Sequence, residues 1–103
     1  MMTTVAAPAT TAMQAQAVTN EYLLTNIGDR LVADEPALDT IVGVWRVPVL
    51  LSYAVLGPLG RVGEFLVSVA NGQLVSHTPL EELKSAARAL YERHRDAIEA
   101  PLP

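Results

Sequence analysis

The chain has no cysteine, which excludes disulfide frameworks, thiolate zinc sites and cysteine nucleophiles. It has few bases: seven Lys and Arg stand against eleven Asp and Glu, for a formal net charge of -4. An acidic chain has no electrostatic pull toward a phosphate backbone, so nucleic acid is not an expected partner. It has only two histidines, His77 and His94, and no ligand spacing around either, so no metal site and no cofactor are expected. Aromatics are equally scarce at one Trp, three Tyr and one Phe, which makes each of them informative. No Ser/His/Asp order and no paired carboxylate suggests catalysis, and the chain is read as non-enzymatic.

What is present is apolar: half of the 103 residues are hydrophobic and 17% are charged, enough for one domain with one modest core. The first twenty residues carry no charged side chain. Ala15-Gln16-Ala17 has the form of a signal-peptidase site, but neither a basic n-region nor a continuous apolar h-region precedes it, so no secretory leader is expected. Neither end has an acylation motif. Residues 1–12 read as a disordered Ala/Thr-rich tail and 13–100 as a single α+β domain, cytoplasmic in placement.

A helix is expected near 13–33, on an apolar stripe of Ala17, Leu24 and Leu31 with Leu23 and Ile27 beside it. Gly28 weakens it, with a break and recapping at Asp29 as an alternative, and Pro36 stops it. A second helix is expected near 79–99. Thr78-Pro79-Leu80-Glu81 has the form of a capping box, and Leu80, Leu83, Ala87, Leu90, Tyr91, Ala97 and Ile98 share one face. Arg88–Glu92 and Arg95–Glu99 are spaced for weak ion pairs.

Between the helices, Ile41–Gly60 approaches the length of a membrane span. Arg46, Pro48, Ser52 and Gly57-Pro58 interrupt it, and its period is two, so it reads as strand and no membrane is expected. Trp45, Val47, Val49, Leu51 and Tyr53 share the core face, and the pattern resumes at Phe65, Val67 and Val69. Asn71-Gly72 marks a two-residue hairpin that would oppose Val69 to Leu74 and Ser68 to Val75. The expected fold is therefore α-β-β-β-α, a three-stranded antiparallel meander packed with an N-terminal and a C-terminal helix. Pro48 makes the first strand an expected edge. The even face also carries Val42, Val44, Leu50, Leu56, Val62 and Leu66, so the sheet wants cover on both sides, from one helix per face or from a second subunit.

Gly57-Pro58-Leu59-Gly60-Arg61-Val62-Gly63 lacks the helix and lysine of a phosphate loop and reads as a hairpin loop with Arg61 at its tip. Arg46 and Glu64 are expected to pair structurally. Trp45, Arg46, Val49, Tyr53 and Arg61 are the candidates for contact with a partner, and Trp45, Tyr53 and Tyr22 together would make an aromatic patch. Tyr91 and His94 are the candidates for a pocket between sheet and C-terminal helix, the basis of an alternative reading as a small-molecule binder or minimal enzyme. The leading expectation is an interaction module that forms a homodimer.

The stretches VWRVPVLLSYAVLGPLGRVGEFLVSV and SHTPLEELKSAARALYERHRDAI resemble small uncharacterised bacterial proteins of cyanobacterial type, with a W-x-V-P strand, a β-meander and a capped C-terminal helix. That resemblance covers residues 20–100 and implies no activity and no functional residues. The hairpin with its Val-Gly-Glu exit and Asn-Gly turn is also similar to the β-hairpin of PepSY-type regulatory domains.

Overall fold

The computed structural model describes residues 9–100. The fold is α+β, with an N-terminal helix, an antiparallel sheet and C-terminal helices. Of the expected tail, residues 1–8 lie outside the described residues. Residues 9–12 are tied down: the Thr10 amide donates to the Val69 carbonyl at 3.0 Å, and Thr10 is buried.

Helix α1 spans Ala12–Asn26. Thr11 and Gln14 form a reciprocal capping box, each side chain accepting from the other's backbone amide. The buried side is Ala15, Thr19 and Leu23, four residues apart, and the Thr19 hydroxyl is satisfied by the Ala15 carbonyl at 3.0 Å. Two of these three side chains are small, so the helix lies close on the sheet. The expected stripe is displaced: Leu24 is 60% exposed and Leu31 is not helical at all. The cause is Gly28, whose φ of +139° lies outside the helical range and suits glycine. The Ile27 and Gly28 amides both donate to the Leu23 carbonyl, closing the helix about seven residues earlier than the pattern suggested.

The chain then forms two short strands, β1 (Leu31–Ala33) and β2 (Ala37–Asp39), which the sequence reading did not contain. Both pair with β3 (Val44–Tyr53), which pairs with β4 (Gly57–Ser68), which pairs with β5 (Leu74–His77). β3 is thus an interior strand, not the expected edge. Pro48 is tolerated because the flanking strand is interrupted opposite it. Pairing runs Ala33 to Val49 and resumes Ala37 to Arg46, with Asp34-Glu35-Pro36 bowing out between them. The Pro48 carbonyl still accepts from Asp34 at 2.7 Å, on the flank where a proline offers no donor.

The glycine-rich segment expected as a loop lies inside β4, and the loop is Ala54-Val55-Leu56. Two register shifts interrupt the β3–β4 ladder there, leaving Leu59 and Val62 as the extra residues. Arg61 is therefore on a strand, not at a tip. Gly60 and Gly63 are sites of close approach. A Cβ at Gly63 would lie 2.5 Å from a Leu83 methyl and 2.7 Å from the Thr78 hydroxyl; at Gly60 it would meet the Leu90 methyls at 3.0 and 3.1 Å. The β4–β5 turn is also longer than the Asn-Gly signal implied. The Ser68 amide donates to the Gln73 carbonyl, and a further shift leaves Val67, not Val69, opposite Leu74.

Helix α2 spans Leu80–Arg93 and α3 spans Arg95–Glu99. Thr78 does not cap α2. Its hydroxyl accepts from the Glu64 amide at 2.9 Å, and its own amide donates to the Glu64 carbonyl, so it prolongs the β5–β4 ladder. Pro79 takes the cap position, and Glu81 and Glu82 favour the positive end of the helix dipole.

Both helices pack on one face of the sheet. Ala15, Leu23 and Leu83 join Val47, Val49, Leu51, Val62, Phe65 and Val67 in a single core. On the opposite face Val32, Pro48, Leu50 and Leu66 are only partly buried, and among the described residues they stand outside the core that the helices join.

Candidate functional site

The opposite face of the sheet is the first candidate region. Cross-strand pairing sets Val32 beside Leu50, and Pro48 beside Glu64, with Leu66 diagonal to Pro48. These four apolar residues form an oblique strip across β1, β3 and β4. A chain of charges flanks it: Arg46 bonds Asp39 at 2.9 Å and Glu64 at 3.0 Å, and Arg61 bonds the other Glu64 oxygen at 3.0 Å. The expected Arg46–Glu64 pair is therefore present. Asp39 is held below its ordinary value, first by the Val42 amide and then by the Arg46 guanidinium; Arg46 is raised chiefly by its bond to Asp39.

The second candidate region is a cleft on the helix side, with a volume of about 360 Å3, between the end of α1 and the face of α2. Ile27, Leu31, Leu51 and Ala87 give it apolar lining; Tyr53 and Tyr91 are its aromatics, and Arg30, Lys84 and Arg88 bring charge. The Arg30 guanidinium lies 4.6 Å from the centre of the Tyr53 ring, a cation–π contact. The Tyr91 hydroxyl donates to Glu99, which holds the phenol above its usual range and Glu99 below its own. Arg95 bonds Glu99 at 3.4 Å, as its spacing suggested, and also reaches Glu92 at 3.6 Å. Glu92 thus pairs with Arg95 and not with Arg88.

The candidates from the sequence fall in different places. Arg46 and Arg61 lie on the opposite face of the sheet. Trp45 anchors the start of α1, its indole donating to the Thr10 carbonyl at 2.8 Å. Val49 is fully buried against the helices and cannot meet a partner without unfolding the core. Tyr53 and Tyr91 come together in the cleft. His94 sits at the junction of α2 and α3, where its amide closes α2, and it does not line the cleft. Tyr22 joins no patch with Trp45 and Tyr53. It meets the Phe65 ring edge-on at 5.4 Å and lies 4.9 Å from the His77 ring, which stacks on Phe65 at 4.9 Å. His77 is thus a half-buried lid on the core, set opposite Phe65 by the β4–β5 register.

Among the described residues no three metal-ligating side chains converge. No helix among them is long and apolar enough to cross a membrane. No family model matches the chain, and no match is found among curated proteins or solved structures.

Proposed function

We propose that the protein is a non-enzymatic interaction module that self-associates through the face of the sheet opposite its helices. The observation that carries this reading is the placement of both helices on one face, which leaves the strip Val32–Leu50–Pro48–Leu66 outside the common core and only partly buried. The charged chain beside the strip is internally paired, so it can approach a second copy without leaving an isolated charge.

The two sheet edges are poorer routes. β5 has four residues, and the other edge is split into three-residue pieces by Asp34-Glu35-Pro36, both recognised ways of blunting strand addition. Exchange of α1 is also disfavoured, because its capping box, Thr10 and Trp45 fix its start in place.

Size sets the strength. A face ten residues long and four strands wide presents roughly 500–600 Å2 per copy, or about 1,000–1,200 Å2 in a pair, at the low end of stable interfaces. The expected dimer is therefore weak and concentration-dependent. Light scattering on eluted protein over a hundredfold range of loading tests it. Mass should rise toward twice 11.0 kDa with concentration, and Leu66→Glu should hold it at the monomer without loss of fold. A Leu66→Glu variant that associates like the parent would remove this reading.

A further inference from the structure

Seven cations serve the whole chain, and three of them, Arg30, Lys84 and Arg88, line the cleft between α1 and α2. Outside the cleft Arg46, Arg61 and Arg95 each lie within 3.6 Å of a carboxylate, and Arg93 on the last turn of α2 has none within 4.0 Å among the described residues. The cleft differs in bringing three weakly paired cations together. Among the described residues Arg30 and Arg88 have no carboxylate within 4.0 Å, and Lys84 has only a long contact, 3.9 Å, to exposed Glu81. Asp29 is the single acidic side chain in the lining. All three cations are exposed, so solvent screens them when the cleft is empty, and an anion seated over the apolar floor would gain from all three at once.

The cations come from two elements on opposite walls. Arg30 follows the glycine that ends α1, and its guanidinium is held over Tyr53. Lys84 and Arg88 are one helical turn apart on α2. Between them lie Ile27, Leu31, Leu51 and Ala87. The volume of about 360 Å3 is at the lower end of small-ligand sites, enough for a one- or two-ring body.

We infer that this cleft binds a small organic acid, with the carboxylate or sulfonate end between Arg30, Lys84 and Arg88 and an aromatic or aliphatic body against Leu31, Leu51 and Tyr53. Arg30 and Arg88 supply fork-shaped donors suited to an anionic head, and Tyr53 supplies a flat apolar wall. The site is independent of the self-association surface, since the two lie on opposite faces of the sheet.

The probe is 8-anilinonaphthalene-1-sulfonate, an apolar anion whose fluorescence rises on binding, set against its uncharged analogue N-phenyl-1-naphthylamine. The sulfonate should bind and the neutral probe should bind much more weakly. Indole-3-acetate should displace the sulfonate, and added salt should weaken it. Arg88→Glu and Lys84→Gln, both at exposed helix positions, should each lower sulfonate affinity, the former by about tenfold or more, with circular dichroism unchanged. Leu66→Glu should leave it untouched. Amide shifts on titration should centre on residues 27–31, 51–53 and 84–91. The inference is overturned if both charge variants bind the sulfonate as the parent does, if the neutral probe binds equally well, or if the shifts map to Val32, Leu50 and Leu66. Loss of fold in Arg88→Glu would leave Lys84→Gln and the salt dependence to decide.

Discussion

Val49 and Leu50 are neighbours in the chain, and they meet opposite surroundings. Val49 is fully buried beneath two helices, whereas Leu50 faces away from them beside Val32 and Arg61. The same contrast recurs at Pro48, Glu64 and Leu66 and ends at Val44, which shares their face but is only 4% exposed. On the helix side the packing is so close that two strand positions, Gly60 and Gly63, have no room for a Cβ without displacing a helix side chain. On the other side a partly buried apolar strip and an ion-pair chain lie side by side, outside the core among the described residues. The comparison teaches that hydrophobic content alone does not determine how many layers cover a sheet. Small residues on α1 and glycines on β4 let both helices crowd onto one face, and the proposed partner would take the second.

The largest test of that difference is truncation at adjacent positions. Phe65→Ala opens the fully buried side and should cost about 3–5 kcal/mol in urea unfolding, whereas Leu66→Ala should cost about 1 kcal/mol or less in dilute protein. Equal losses would mean that the two faces are equally packed. The glycines sharpen the contrast within the closed side. Gly63→Ala should cost about 1–3 kcal/mol, because Leu83 is itself fully buried and Thr78 is held by Glu64. Gly60→Ala should stay within about 0.5 kcal/mol of the parent, since the methyl it meets ends the partly exposed Leu90 side chain. The smallest effect belongs to the opposite face. Asp39 has a folded pKa below its unfolded value, so its contribution to stability is present above that unfolded value and is lost as pH falls through the folded one. Melting temperature should therefore fall in acid more steeply for the parent than for Asp39→Asn, and the two should converge at the lowest pH.

Much of this arrangement was legible in the residues. The β3–β4 alternation and the apolar side of α2 are written in spacing, and a break at Gly28 was open as an alternative, although a strand and not a recapped helix follows it. The three-residue strands β1 and β2 were not, because three residues carry no measurable period and Leu31 also completes a helical stripe with Leu24. The β4–β5 register was misjudged since a bulge between Leu66 and Val67 lengthens the turn beyond Asn71-Gly72. By spacing alone Gly60 and Gly63 read as loop formers; within a strand, glycines instead mark where another element presses close. Of the cleft, Tyr91 and Tyr53 were picked out for separate reasons. The convergence of Arg30 with Lys84 and Arg88 depends on how α2 lies over the sheet, and no local pattern encodes that.

The most direct test is an isotope-filtered NOE measurement on a one-to-one mixture of labelled and unlabelled protein at high concentration. The account predicts intermolecular contacts from the Val32, Leu50 and Leu66 methyls and none from Val49 or Val67. Filtered spectra with no contacts from the strip, or with contacts confined to β5, would contradict it.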